Sequence, residues 1–185
     1  MNSVAENIAN FLKEYPPFSH LTYEELIDVS KNIGVINLEK HKTLFKIDDK
    51  LHDSFYVVAS GVLNLSFIAD AEETLLNKCY AGDVFGLRPF FAKNNYMMTA
   101  KAREDCIIYG IPIKVFKPYV SLNANVLDFL LESFASNTRN SFDKENSGKL
   151  VTDSVYNDQT SGEIQYFQSL SYNKTPLKVS VNSVV

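Results

Sequence analysis

The sequence predicts a mainly β fold with flanking helices, in the form of a barrel, roll or sandwich. Three observations carry this. The hydrophobic period is helical as far as Gly34, becomes strand-like at Val35, and turns helical again at Ile113. Between those points, short apolar runs alternate with regular turn signals rather than with helices. Leu63, Leu65 and Phe67 interleave with Asn64 and Ser66, the pattern of a strand with one buried face and one wet face.

Each element follows from local chemistry. Val4, Ile8, Phe11 and Leu12 share one face of a short amphipathic helix that must end before Pro16-Pro17. Thr22 and Glu25 are spaced as a capping box, with Leu21 and Leu26 as a hydrophobic staple around it. Leu26, Val29 and Ile33 continue that second helix, and Gly34 is expected to stop it. Ile36 and Leu38 alternate with Asn37 and Glu39; Leu44-Phe45 precede an acidic turn at Asp48-Asp49. Ser54 to Ala59 reads as a strand closing at Ser60-Gly61, and Thr74–Tyr80 and Cys106–Ile111 read as further strands. Ile113–Val120 returns to helix, interrupted by Pro118, and Leu122, Val126, Leu127, Leu130, Leu131 and Phe134 mark a longer one reaching about Arg139.

Composition narrows the class. The formal net charge of −4 gives a field that repels nucleic acid and anionic membranes. No apolar run approaches the ~18 residues of a spanning helix, and Met1 to Glu6 lacks the regions of a signal peptide, so the expected location is the cytoplasm. Cys79 and Cys106 form no CxxC and fall in strand-like stretches, as buried free thiols do. His20, His41 and His52 have no metal-ligand spacing, the Asp and Glu clusters read as turn acids, and no nucleophile elbow or Walker loop occurs. No enzyme is expected, nor any metal. Beyond Asn140 the chain becomes polar and Ser/Asn-rich. The expected organisation is a domain over 1–140, a polar linker over 141–171, and the start of a following domain over 172–185.

The most specific segment is Gly82-Asp83-Val84-Phe85-Gly86, followed by Tyr96-Met97-Met98-Thr99-Ala100-Lys101-Ala102. It resembles the phosphate-binding cassette of cyclic-nucleotide-binding domains, as in catabolite activator proteins and cAMP-kinase regulatory subunits. Phe11-Leu12 to Phe18-Ser19-His20-Leu21 and Ser54 to Val62 are similar to that family's opening run and to its Tyr-containing strand and turn. The resemblance runs from about Glu6 to Arg139. It implies a double-stranded β-helix, a jelly-roll-like β-roll with N-terminal helices, a short cassette helix and a C-terminal helix. It also implies a cyclic nucleotide or another nucleotide as ligand, held at Phe85, Gly86, Leu87, Arg88, Pro89, Phe90, Tyr96, Met97, Met98 and Thr99.

Departures from the family pattern qualify that expectation. Leu87 stands at the position of the ribose-binding Glu, and Tyr96 at that of the phosphate-binding Arg. A phenol offers one O–H and no charge where a guanidinium would fork onto two phosphate oxygens. Met97 and Met98 are bulkier than the usual small residues, and His41 replaces a turn Gly. Arg88, one residue further along, is the alternative anion ligand. The reading is a sensor or regulatory module with a degenerate cassette, a poor cAMP binder that controls downstream domains. Against it stand a structural domain dimerising through the 121–139 helix and a transcription regulator lacking its DNA-binding part. No basic recognition helix follows Ser141, so direct DNA binding is not expected. Residues 85–140, with the strand-like 172–185, look like the N-terminal module of bacterial proteins that continue into a CBS pair and a nucleotidyltransferase-like domain.

Overall fold

A computed structural model describes residues 3–69 and 72–145 of the chain. Two helices and a 3-10 turn open it: α1 (Val4–Leu12), the turn Phe18–His20, and α2 (Tyr23–Ser30). Eight strands follow, β1 (Gly34–Leu38), β2 (Thr43–Phe45), β3 (Ser54–Ser60), β4 (Leu63–Ala69), β5 (Glu72–Cys79), β6 (Val84–Phe85), β7 (Thr99–Ala102) and β8 (Cys106–Pro112). A short helix α3 (Arg88–Ala92) separates β6 from β7, and α4 (Ile113–Leu122) and α5 (Ala124–Glu145) close the described chain. The strands form two four-stranded antiparallel sheets, ordered β1-β8-β3-β6 and β2-β7-β4-β5. This is the β-roll with flanking helices.

In the first sheet, β3 is buried on both faces. Alternation along β3 sends Phe55 and Val57 into a core shared with the helices, and Tyr56 and Val58 into a core between the sheets. On β8, Ile111 joins the helix-side core while Cys106 and Ile108 join the other. Hence the nearly continuous apolar run from Phe55 to Val58. Both cysteines are buried free thiols in the inter-sheet core, and burial pushes the Cys79 thiol up to about 12.

Thr22 and Glu25 form the reciprocal cap, and Ser3 and Glu6 form a second one that the sequence reading passed over. Gly34 does not stop α2. The helix ends at Ser30 with a right-handed cap at Lys31, and Gly34 begins β1. Pro118 lies inside an unbroken α4. His41 has φ 68°, so it takes the left-handed geometry that a glycine would take there. Helix α5 runs to Glu145, past the boundary expected at 140. Its Val126, Leu127 and Leu130 are buried in the helix-side core of the same chain. The linker from 146 to 171 and the segment 172–185 lie outside the described residues.

Candidate ligand site

The cassette is built onto β3. The Gly82 N–H donates to Val58 O at 2.9 Å and the Val58 N–H to Asp83 O at 3.1 Å, while the Tyr80 N–H donates to Asp83 Oδ2 at 2.8 Å. Gly82 is required twice over. Its φ is +92°, and a Cβ there would lie 2.1 Å from Cδ1 of Tyr15. Gly86, at φ +71°, turns the chain into α3, with Leu87 in the cap position making no side-chain cap and Pro89 in the first turn. Lys93 in the left-handed region ends α3 after five residues.

Tyr96, expected from the resemblance at the place of a phosphate-binding arginine, is 0% exposed. Its ring stacks on Phe45 with centroids 3.7 Å apart and planes 7° from parallel. Phe45, Tyr56, Phe85 and His52 complete an aromatic cluster in which Tyr56 and Phe85 lie 5.4 Å apart and His52 stands edge-on to Tyr96 at 5.4 Å. The phenol is tied down too: its Oη accepts the His52 N–H at 3.3 Å and hydrogen-bonds Tyr56, whose hydroxyl lies 2.5 Å from His52 Nδ1. The main chain of Tyr96 exchanges two bonds with the acidic turn, Asp48 N–H to Tyr96 O at 2.7 Å and Tyr96 N–H to Asp49 O at 3.1 Å. Burial raises the pKa of both phenols, so each stays neutral and serves as a hydrogen-bonded core residue.

Beside Tyr96 lies a cleft of about 50 Å³ lined by Phe45, Gly86, Arg88, Pro89, Tyr96, Met97 and Met98. Pockets for nucleotide-sized ligands run to several hundred Å³. Of the expected site residues, Gly86, Arg88, Pro89, Tyr96, Met97 and Met98 meet at this cleft. Leu87 instead faces the helix-side core at 3% exposure, and Phe90 packs against that core. Phe85 belongs to the inter-sheet core, and Thr99 Oγ1 accepts the Ile47 N–H at 3.2 Å. The Arg88 guanidinium also lies over the Phe134 ring of α5, 5.6 Å from its centroid, and Phe91 meets the same ring at 6.1 Å. Sequence reasoning missed Phe45, His52 and Tyr56 as neighbours of the cassette. Only the inward parity of Tyr56 on β3 signalled any of them.

Residues 35–122 match the family described as the cyclic nucleotide-binding domain. No curated protein matches the chain by sequence. Among solved structures, the sensor domain of the transcriptional regulator DNR from Pseudomonas aeruginosa is similar with a TM-score of 0.60 at 19% identity, covering 69% of this chain and 91% of that one. The regulatory subunit of a cAMP-independent protein kinase A from Trypanosoma cruzi, bound to guanosine, gives 0.61 at 17% identity, covering 68% and 44%. A triple mutant of the Trypanosoma brucei subunit, bound to cAMP in its A site, gives 0.66 at 16% identity, covering 76% and 51%. The chain spans about half the length of the two kinase subunits. At these identities the likeness is one of fold. No helix among the described residues is long and apolar enough to cross a membrane. The family match thus spans residues 35–122, a little under half of the chain, and the β-roll with flanking helices is the fold shared with these solved structures.

Proposed function

We propose that this chain is a regulatory or sensor module whose cassette has lost high-affinity cAMP binding, and that it acts on an attached C-terminal domain. One observation carries this reading. Tyr96, where the resemblance asks for a phosphate-binding arginine, is a buried aromatic stacked on Phe45. Loss of the charge-assisted bond alone costs about 1.5–3 kcal/mol, of order 100-fold in affinity at the upper end. The filled interior adds a steric barrier. The neighbours include both kinds of ligand: the regulatory subunit of the cAMP-independent kinase from Trypanosoma cruzi holds guanosine, and the regulatory domain from Toxoplasma gondii holds cAMP. The likeness to modules preceding a CBS pair supports the attached domain.

Differential scanning fluorimetry of the 185-residue chain with cAMP, cGMP and guanosine tests it. A nucleotide at about 100 times its dissociation constant stabilises by ~2.7 kcal/mol, a rise of several degrees in Tm. The expected result is no rise with millimolar cAMP; a rise of that size overturns the reading. A second reading, a structural or dimerisation domain without ligand, rests on the same filled interior. Helix α5 lends it less, because Val126, Leu127 and Leu130 are used within their own chain. Sedimentation equilibrium showing a monomer at micromolar concentration would remove the dimer.

A further inference from the structure

We propose that β5 is a self-pairing edge, to which a second copy of this chain adds its own β5 antiparallel, joining two sheets into one. The inference is independent of the cassette and of α5. Strand β5 is the last of its sheet, and among the described residues it pairs with β4 alone. At eight residues it is longer than the usual strand, and a long edge presents backbone N–H and C=O groups to any strand that fits it. The register with β4 sets which side chains share a face. Leu63 and Leu65 of β4 belong to the inter-sheet core, so Asn64, Ser66 and Ile68 point away from it. Lys78, Leu75 and Glu73 stand opposite those three and share the outer face. Leu75 and Ile68 are exposed there at 47% and 60%. The Ser66 hydroxyl donates to Glu73 Oε1 at 2.6 Å, which holds the carboxylate on this face. Leu76 is the extra residue of a bulge, because Leu65 faces Asn77 while Ser66 faces Leu75.

A bulge ordinarily spoils an edge for a regular strand. A second β5 carries the same bulge, and one register lets the two compensate. With Glu73 opposite Lys78 of the second copy, Thr74 meets Asn77 and Leu75 meets Leu76. The extra residues then fall in the middle, and the outer faces of both strands stay aligned. A two-fold axis through that middle repeats every pair. Four leucines form the centre, and a Glu73–Lys78 pair closes each end. Within the chain neither charge is neutralised: Glu73 and Lys78 make no ion pair among the described residues. This complementarity of charge and bulge selects a second copy over an unrelated strand. One strand from each copy makes an interface below the standard size of ~1,600 Å², so the expected dissociation constant is weak, roughly 10–300 µM.

Sedimentation velocity of the 185-residue chain from about 10 µM to about 1 mM should therefore show a concentration-dependent dimer. Glu73→Lys sets two cations opposite each other and Lys78→Glu two anions, so each variant alone should lose at least ~tenfold in self-association. Mixed in equal amounts, the two variants present opposite charges at both ends, and the mixture should associate like the wild type. The double variant E73K/K78E should do so alone. Mixing does not cure a folding defect, so recovery reports the pairing itself. Leu75→Lys, at a position 47% exposed and outside both cores, should abolish the dimer with little change in Tm. A wild type that stays monomeric throughout the range would overturn the proposal. So would association undiminished in E73K, K78E or L75K, or a mixture of E73K and K78E as weak as its components.

Discussion

Replacing Tyr96 with Arg would install the residue that the resemblance to the cyclic-nucleotide cassette calls for, yet the structure predicts a damaged protein in place of a cAMP receptor. The ring is fully buried, stacked on Phe45 and bonded to His52 and Tyr56. Removing a buried aromatic ring costs about 3–5 kcal/mol, of which the arginine stem recovers a part. A guanidinium set among Phe45, Tyr56 and Phe85 adds several more through incomplete solvation, and Asp49, an exposed acid near this site, offsets little. The sum, of order 5 kcal/mol, matches the whole stability of a weakly stable domain. At ~2–4 °C per kcal/mol for a chain of this size, Tm should fall by roughly 10–20 °C. Tyr96→Phe, which keeps the stack and loses only the hydroxyl, should cost about 1 kcal/mol. Calorimetry of both variants, with and without cAMP, is the assay. An arginine variant that melts within about 3 °C of the wild type and binds cAMP at micromolar concentration would refute the argument, because the tyrosine would then have been lying in an open pocket.

Further outcomes follow from the same geometry. Gly82→Ala should lower Tm strongly, since its Cβ meets Tyr15 and its φ is +92°; adding Tyr15→Ala should relieve the collision but not the backbone strain, which a double-mutant cycle by urea denaturation would resolve. Stability should fall as pH rises above about 9. The Cys79 thiol is held up to about 12, and the Tyr96 phenol is raised, so the folded state keeps protons that the unfolded chain releases from ~9 (Cys) and ~10 (Tyr) upward. Each such group contributes a slope of ~1.4 kcal/mol per pH unit between its unfolded and folded values, and a flat Tm from pH 9 to 11 would contradict the burial of both. Leu130→Asp should unfold the domain or lower its Tm by ten degrees or more, because Leu130 sits in the chain's own core at 2% exposure. A folded variant with unchanged Tm and a reduced molecular mass would instead mark α5 as a dimer seam.

Much of the fold was legible because its signals are local. The change of period at Val35, the Thr22–Glu25 box and the alternation through Leu63, Leu65 and Phe67 each follow from a few neighbouring residues. Strand order was not, since pairings such as β1 with β8 join segments far apart in sequence. Gly34 misled because a glycine after an apolar stripe reads as a helix stop, whereas here the helix closes earlier at Lys31 without one. The candidate site shows the same division. The cassette glycines and Arg88 carry a motif, but the partners that decide what the site can hold, Phe45 and His52, carry none. Leu87 illustrates the limit most sharply: the resemblance puts it at an expected ligand position, while its side chain joins the helix-side core.

The filled interior does not isolate the site from the rest of the domain, because both cores share one sheet. Tyr56, bonded to Tyr96, stands on β3 between Phe55 and Val57, which face the helices. Phe55 in turn meets Phe116 of α4 at 5.1 Å and lies parallel to Phe18 at 6.4 Å. A displacement of Tyr96 that moved β3 would therefore press on the rings beneath α4. The second route runs through the cassette helix, where Arg88 and Phe91 both meet Phe134. A rigid core passes such shifts on because it has few voids to absorb them. On the proposed reading, a tyrosine at the cassette position of an arginine fills the nucleotide site, while the contacts of Arg88 and Phe91 with Phe134 still join the cassette helix to α5.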